Sequence, residues 1–232
     1  MKHLIFTAFA AAVGFAAPLA AQENPVVVEL FTSQGCSSCP PADKILHQLA
    51  DREDVIALAL HVDYWDYIGW KDPFGDPAHA VRQRAYATAA QRRTIYTPEM
   101  IVNGVTDIVG AKPMKLSEAI AKHARMAPKV EINLTRDGDQ MVITAQALAA
   151  IEGPMTVHML RYTAHRTTVI KRGENRGNTF EYANVVEGWT ALGDWDGASP
   201  LRMSAEMSGD KPCVVIIQGQ NAGPIFAAAR LR

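Results

Sequence analysis

The 232-residue sequence has almost no excess of charge and very few cysteines. Its 23 basic and 24 acidic residues leave a formal net charge of −1. A chain so close to neutrality is not expected to bind nucleic acid or an anionic membrane surface. Three cysteines allow at most one internal disulfide, and there is no second Cys pair from which a zinc knuckle could be built. Internal repeats and low-complexity segments are also absent from the sequence.

The sequence has one long apolar run of the kind that enters a membrane, and it lies at the N-terminus. Lys2 precedes a stretch rich in Ala, Phe and Leu, and Ala21 is followed by polar residues. This pattern predicts a secretory signal peptide at residues 1–21, cleaved after Ala21. The alternative is a retained anchor, but the run is short and no stop-transfer charge cluster follows it. We therefore expect a periplasmic or secreted protein with no stable membrane insertion after cleavage.

Two of the three cysteines, Cys36 and Cys39, lie where a predicted strand leads into a predicted helix. Residues 26–31 are mostly apolar and β-branched, which indicates a buried strand. Pro40 and Pro41 are tolerated only in the first turn of a helix, so the helix begins within or just after the Cys pair. Cys36 at this helix N-terminus would have a lowered thiol pKa, and Cys39 is close enough to form a disulfide with it. The spacing alone leaves redox chemistry, a structural disulfide and half of a metal site as alternatives.

A second buried strand is predicted at residues 55–62. A strand, a helix and a second strand of these lengths form a right-handed parallel crossover, so both strands end at the same edge of the sheet. Ligands of open α/β sheets collect at that edge. The residues after the second strand should therefore approach the Cys pair, and four of them are candidates for a role there: His61, Asp63, Trp65 and Trp70.

The rest of the first half reads as a helix at residues 77–93, a hairpin and a short helix at 114–124. Asn103 and Gly104 separate two apolar runs, which is a strong signal of a β-hairpin. Pro98 stands at the entry to the first of these strands, where it does not have to donate to the ladder.

The order of these elements resembles the thioredoxin fold over residues 25–127. More narrowly, the sequence resembles a family of exported proteins of unknown function, DUF1223, over nearly the whole mature chain. The segments that carry this resemblance are ELFTSQGCSSCPPAD, HVDYWDYIGWKDPF, RQRAYA, YTPEMIVNG and GENRG. The resemblance implies that Pro98 is a cis-proline packed against the Cys pair and that Thr97 offers its backbone to an extended substrate segment.

The sequence also departs from the thioredoxin pattern close to the Cys pair. Gly35 stands where thioredoxins usually carry Trp, and Leu30 stands where they have a buried acid. Ala59 replaces the usual lysine partner of that acid on the next strand. A proton relay of the thioredoxin type is therefore not expected.

We assign candidate roles to the polar residues of this region. Cys36 is the attacking thiolate that forms a mixed disulfide, and Cys39 resolves it. Glu29 is a candidate general base for the resolving thiol; the alternative is a carboxylate that is hydrogen-bonded to backbone inside the core. His61 and Asp63 either lend a proton path and contact substrate or have structural roles.

The aromatic residues and the third cysteine also have two interpretations each. Trp65 and Trp70 form an aromatic rim for peptide binding or pack in the core. Cys213 lies in an apolar run and is expected to be a buried, inert thiol. The Cys pair together with His61 could also hold Cu(I), because soft thiolates select that ion; no other cofactor is expected.

From residue 130 the pattern changes to short strands separated by turn signals, which indicates an antiparallel β-sandwich. A polar, Gly-rich segment at residues 171–178 interrupts it. This segment either folds over the thiol site, binds a partner or is an ordinary long hairpin connection.

The predicted fold class is thus an α/β thioredoxin-like domain at residues 22–127, followed by an all-β antiparallel sandwich domain at 128–232. The predicted function is an exported thiol–disulfide oxidoreductase that acts on thiols or disulfides of periplasmic or secreted proteins, together with an unidentified redox partner. The alternatives are a binding or scaffold protein with a structural CSSC disulfide and a copper-delivery protein that uses the Cys pair.

Overall fold

The computed structural model describes residues 24–207 and 209–231. The predicted signal peptide at residues 1–21 lies outside this part of the chain. Within it, no helix has the length and apolar character that crossing a membrane requires.

Eleven strands and three α-helices make up the described part of the chain. The helices are α1 (Pro40–Ala50), α2 (Pro77–Ala89) and α3 (Pro113–Ala124). The strands of the first half are β1 (Val26–Thr32), β2 (Val55–His61), β3 (Glu99–Val102) and β4 (Thr106–Val109). Those of the second half are β5 (Val130–Asp137), β6 (Gln140–Ala147), β7 (Met155–Val169), β8 (Thr179–Trp195), β9 (Leu201–Glu206), β10 (Cys213–Gly219) and β11 (Ile225–Leu231).

Eight strands form one mixed sheet in the order β11-β10-β7-β8-β2-β1-β3-β4. β1 pairs in parallel with β2, and β2 pairs in parallel with β8; the other neighbours are antiparallel. Every residue of β1 and β2 is buried because helices cover both faces of the sheet here. Val28 and Leu30 pack on the face that carries α1 and α3, whereas Val27 and Phe31 pack on the face that carries α2.

A second, three-stranded sheet has the order β5-β6-β9. Its apolar side chains pack against the end of the large sheet that is formed by β7, β10 and β11. Met141 and Ile143 of β6 share this core with Val157 of β7 and Val215 of β10. The small sheet therefore covers the large sheet at the end that the helices leave open.

The β7–β8 hairpin connects the two halves of the chain. Its strands of 15 and 17 residues are longer than the other strands of the large sheet. β8 lies beside β2, with Val185 opposite Ala59, and the side-chain amide of Asn184 donates a 2.9 Å hydrogen bond to the Ala57 carbonyl. The hairpin brings its connecting loop back to the end of β1, where the Cys pair lies.

The predicted fold class is wrong. The chain is mainly β, and strands from both sides of residue 127 join in the same eight-stranded sheet, so there is no thioredoxin-like α/β domain followed by a separate all-β sandwich. The predicted boundary at residues 127 and 128 falls between α3 and β5. The periodicity located the strands, but it carried no information on pairing between strands more than 100 residues apart, such as β2 and β8.

The turn between β3 and β4 supplies a test of this joined architecture. Gly104 has φ +75°, and a Cβ atom there would lie 2.6 Å from the carbonyl oxygen of Gly223, in the β10–β11 connection. Gly138 has a similar φ of +59°, but its Cβ position is open. We expect Gly138→Ala to cost about 1 kcal/mol of unfolding free energy from backbone strain. Gly104→Ala should cost about 1–3 kcal/mol more from overpacking, as measured by urea denaturation; equal losses would contradict the close contact between the two turns.

Candidate functional site

Cys36 and Cys39 form a disulfide at the junction between β1 and α1, with their Cα atoms 5.4 Å apart. The Cys36 N–H donates to the Ser33 carbonyl, and the Cys39 N–H donates to the Cys36 carbonyl. Cys39 is the N-cap of α1, so the helix begins after the Cys pair. The two cysteines are only 2% and 0% exposed. The intervening Ser37 and Ser38 are exposed and form the surface of the turn.

The loop at residues 171–178 folds over this turn, which is the first of the placements expected from the sequence. The side-chain amide of Asn175 donates to the carbonyl oxygens of Gln34 and Cys36, at 2.9 and 3.0 Å. Trp70 Nε1 donates to Gln34 Oε1 at 2.9 Å. Gly173 lies against Trp70, where a Cβ atom would come within 3.2 Å of the Trp70 Cβ. We call this loop the strap.

Trp65 connects the Cys turn to the start of β3. Its Nε1 donates to Thr97 Oγ1 at 2.7 Å, and a Cβ atom at Gly35 would lie 3.0 Å from the Trp65 Cβ. The Thr97–Pro98 peptide bond is cis, as the resemblance implied. Tyr67 is 80% exposed and stacks on Trp65 with ring centroids 6.4 Å apart, so part of the aromatic cluster faces solvent.

His61 lies at the end of β2 and is completely buried. Its Nδ1 is 2.7 Å from Asp72 Oδ2, and the same oxygen accepts a hydrogen bond from the Gln34 N–H at 2.8 Å. Asp72 therefore joins His61 to the segment that leads into the Cys turn. The His61 ring packs edge-on against Tyr182 and Phe74, with centroids 4.8 and 5.3 Å apart.

Asp43 faces the same buried region from α1. It is 7% exposed, and burial raises its pKa to about 7, although the nearby His61 imidazole and Thr32 hydroxyl oppose the shift. Thr32 Oγ1 is close enough to favour the charged carboxylate but lies outside hydrogen-bonding geometry. In the described part of the chain, Asp43 Oδ1, Thr32 Oγ1 and His61 Nε2 are buried atoms without a hydrogen-bond partner. Such atoms are costly, so a cluster of them is unusual in a core.

Glu29 is not brought to the disulfide. It points to the α2 face of the sheet, where Arg82 Nε lies 2.6 Å from its Oε1 and the Tyr86 hydroxyl donates to its Oε2 at 2.5 Å. Arg82 also lies over the Trp189 ring, 3.8 Å from its centroid. A cavity of about 440 Å³ borders this network and is lined by neither bridged cysteine. This position agrees with the core location of the alternative interpretation of Glu29, but its partners here are the Arg82 and Tyr86 side chains and not the backbone groups that were expected.

Four of the other predicted site residues are linked to the Cys turn by the contacts above: His61, Trp65, Trp70 and Thr97. Asp63 starts the turn that carries Trp65, since its carbonyl accepts a 3.0 Å hydrogen bond from the Asp66 N–H. Three residues of the site were missed: Gln34, Asp43 and Asp72. Asn175 belongs to the segment at residues 171–178, for which folding over the thiol site was one of the expected alternatives. A signal existed for Asp43, because it falls on the apolar face of α1, three residues before the buried Leu46.

Within residues 24–207 and 209–231, no group of three or more His, Cys, Asp or Glu side chains is arranged to hold a metal ion. Cys213 is free and buried, and its burial raises the pKa of its thiol to about 11. It is thus the inert thiol expected from the sequence.

The raised pKa of Asp43 predicts a pH-dependent stability. An acid whose pKa is about 7 when folded and about 3.9 when unfolded makes the folded state hold more protons between these values. Stability should therefore fall as pH rises from about 4 to 7. Asp43→Asn removes this loss, so the variant should be more stable than the wild type at pH 8 by on the order of 2–4 kcal/mol.

Urea denaturation at pH 4 and pH 8 measures this difference, and Asp51→Asn at the exposed end of α1 is the matched control. A wild type and an Asp43→Asn variant with the same pH dependence would contradict the burial argument.

Comparisons with known proteins give a consistent classification. The sequence profile of the family described as "Protein of unknown function (DUF1223)" matches residues 27–218. A structural genomics target from Agrobacterium tumefaciens, solved by X-ray crystallography, has 32% identity and a TM-score of 0.77, over 91% of this chain and 96% of its own. HBP35 of Porphyromonas gingivalis has a similar fold at 16% identity, with a TM-score of 0.60 over 90% of this chain and 75% of its own. A search of curated protein sequences gives no significant match. The chain therefore belongs to the DUF1223 family of proteins of unknown function.

Proposed function

We propose that this protein exchanges thiols and disulfides with exported proteins through the Cys36–Cys39 disulfide. The observation that carries the proposal is a set of buried atoms beside the Cys turn, on Thr32, Asp43 and His61, that have no hydrogen-bond partner among the described residues. A structural disulfide has no need of such atoms, which lower stability. Breaks in the rules of core packing concentrate at functional sites. In a thiol–disulfide exchange reaction, protons move to and from a buried cysteine sulfur, and unpartnered polar atoms beside it can accept or donate them.

The small size of the disulfide loop also supports a redox role. The bridged cysteines are three residues apart, so the bond constrains very little of the unfolded chain. The loop-entropy relation gives about 2 kcal/mol for such a loop, compared with about 3 kcal/mol for 15 residues and more for longer loops. A structural disulfide would stabilise the folded state more if it joined segments that are distant in sequence.

Cys36 is the sulfur that a client would reach first. It has the larger exposed fraction of the two, 2% against 0%, and it adjoins the exposed Ser37 and Ser38. Ser38 Oγ lies 3.4 Å from Cys36 Sγ, where its hydroxyl can donate to a sulfur that carries negative charge. The aromatic surface of Trp65 and Tyr67 then offers a contact for the client chain.

In the proposed reaction a client thiolate attacks Cys36 Sγ. A sulfur–sulfur bond forms between the client and Cys36, the Cys36–Cys39 bond breaks, and Cys39 leaves as a thiolate that takes up a proton. A second client thiol then releases Cys36, so two client thiols are oxidised to a disulfide and the protein is reduced to a dithiol. The reverse sequence reduces a client disulfide. An unidentified redox partner returns the protein to its starting state.

The competing function is a binding or scaffold protein in which the disulfide is permanent. The low exposure of both cysteines favours it, since a buried disulfide resists exchange. The two functions differ in how readily the Cys36–Cys39 bond is reduced.

A redox titration against glutathione or dithiothreitol, read by alkylation and mass spectrometry, separates these two functions. For an exchange protein we expect a midpoint for Cys36 and Cys39 between about −120 and −270 mV. Bound copper should be assayed in the same sample, which also tests the copper-delivery alternative. A midpoint below about −300 mV is typical of a structural disulfide and would overturn the proposed function.

The strap should control access to Cys36. Asn175→Ala removes two hydrogen bonds to the Cys turn, each worth about 0.5–1.5 kcal/mol. We expect dithiothreitol to reduce the variant about tenfold faster than the wild type. Asn178→Ala is the matched control, because its amide bonds only to Asn175 within the loop. Equal rates for the Asn175→Ala variant and the wild type would mean that the strap does not limit access.

A further inference from the structure

The buried cluster beside the Cys turn is assembled by three elements. Thr32 and His61 lie opposite each other on the parallel strands β1 and β2, so both side chains point to the same face of the sheet. Leu30 and Ala59, two residues earlier on each strand, pack with the core residues of α1 on that face. α1 covers this face and contributes Asp43.

Asp43 is also aligned with Cys39 along α1. The two residues are four positions apart, and the Asp43 N–H donates to the Cys39 carbonyl at 3.1 Å. Side chains at this spacing lie on the same face of a helix, with Cβ atoms about 5–6 Å apart. Both residues are buried, so their side chains share the buried face of the helix.

We propose that Asp43 takes the proton from the Cys39 thiol when Cys39 attacks a mixed disulfide on Cys36, and returns it when the disulfide is reopened. This inference rests on the proposed function and adds the group that handles the proton. Glu29 cannot fill this role because Arg82 holds it on the opposite face of the sheet.

The surroundings of Asp43 suit proton exchange near neutral pH. His61 faces it from β2, with Nδ1 bound to Asp72 Oδ2 and Nε2 without a partner among the described residues. Thr32 faces it from β1, and the Asp72 carboxylate acts on it from the chain after β2. Tyr182 faces both carboxyl groups from β8, since burial and then the charges of Asp43 and Asp72 raise the pKa of its phenol. Burial and Asp72 favour the protonated acid, whereas His61 and Thr32 favour the carboxylate. Both forms are therefore populated near pH 7.

The proton and electron balance of the resolving step is simple. The Asp43 carboxylate accepts the Cys39 proton, and the Cys39 sulfur attacks Cys36 Sγ. A bond forms between the two protein sulfurs, the bond between Cys36 and the client sulfur breaks, and the client leaves as a thiolate. In this step the Cys39 sulfur passes from thiol to disulfide and the client sulfur passes from disulfide to thiolate, while Cys36 stays disulfide-bonded. Together with the preceding attack of Cys36 on the client disulfide, the protein pair is oxidised by two electrons and the client disulfide is reduced to two thiols.

The step can be isolated by mixing the reduced protein, freed of dithiothreitol, with 5,5′-dithiobis(2-nitrobenzoate), a chromogenic disulfide. Attack by Cys36 on this probe releases one thionitrobenzoate ion at a rate that depends on probe concentration. Attack by Cys39 on the resulting mixed disulfide releases a second ion, and the rate of this release is independent of probe concentration. Cys213 is buried, with a raised thiol pKa, so it does not contribute in the folded chain. Cys39→Ser should release only the first ion.

We expect Asp43→Asn to slow the second release about 100-fold at pH 7, the lower end of the range for general acid–base catalysis, while the first release changes less than twofold. In the wild type the second rate should rise with pH and level off near pH 7, whereas in Asp43→Asn it should keep rising towards the pKa of the free thiol. Asp43→Glu should restore part of the rate, and Asp51→Asn is the control.

The outcomes separate this inference from the proposed function. A Cys36–Cys39 bond that dithiothreitol does not reduce overturns both. If the wild type releases both thionitrobenzoate ions and Asp43→Asn releases the second at the same rate as the wild type, the role of Asp43 is overturned. The exchange function is then unaffected. If Asp43→Asn does not fold, carboxyl-carbon NMR of the wild type decides, because the ionisation of Asp43 must coincide with the levelling of the second rate.

Discussion

The pairing of β8 with β2 is the constraint on which the rest of this structure depends. It joins the two halves of the chain in one sheet through Ala59 and Val185, and the Asn184 amide adds a hydrogen bond to the Ala57 carbonyl. Because β7 and β8 continue beyond this contact, the strap that connects them reaches the Cys turn, and Asn175 bonds to the carbonyl oxygens of Gln34 and Cys36. The environment of the disulfide is thus produced by the pairing of two strands that lie more than 100 residues apart in sequence.

The large sheet buries an acidic side chain on each face, Glu29 on the α2 face and Asp43 on the α1 face, and the surroundings of the two differ. On the α2 face the Glu29 carboxylate is neutralised by Arg82 and hydrogen-bonded by Tyr86, so the network is satisfied and its role is structural. On the α1 face Asp43 has no cationic partner at salt-bridge distance among residues 24–207 and 209–231, and burial raises its pKa to about 7. A buried acid without a counter-ion is destabilising when charged. This contrast within one sheet is what directs attention to the α1 face.

The candidate site was predictable in part. The Cys pair, the edge of the sheet at which it lies and the approach of the segment from His61 to Trp70 all follow from local patterns and from the handedness of the crossover. The position of Glu29 relative to the disulfide was harder to predict. Alternation along a strand shows which residues share a face of the sheet, but it does not show which helix will cover that face. Asp72 had no distinguishing local signal, since its importance comes only from the groups that it meets. Asn175 lies in a segment that the sequence did single out, but no local pattern indicated which of its residues would bond to the Cys turn.

By itself, the sequence determined the local elements of this protein: apolar periodicity and the positions of Pro and Gly located the strand before Cys36, the helix after Cys39 and the Asn103–Gly104 turn. It also carried the family resemblance. Only the tertiary structure decided which strands pair, and therefore that the chain is a mainly β protein with one mixed eight-stranded sheet. It also decided that Thr32, Asp43 and His61 would meet beside the disulfide. The physical reason is that local conformation is set by neighbouring residues, whereas pairing and burial depend on contacts between segments that are distant in sequence.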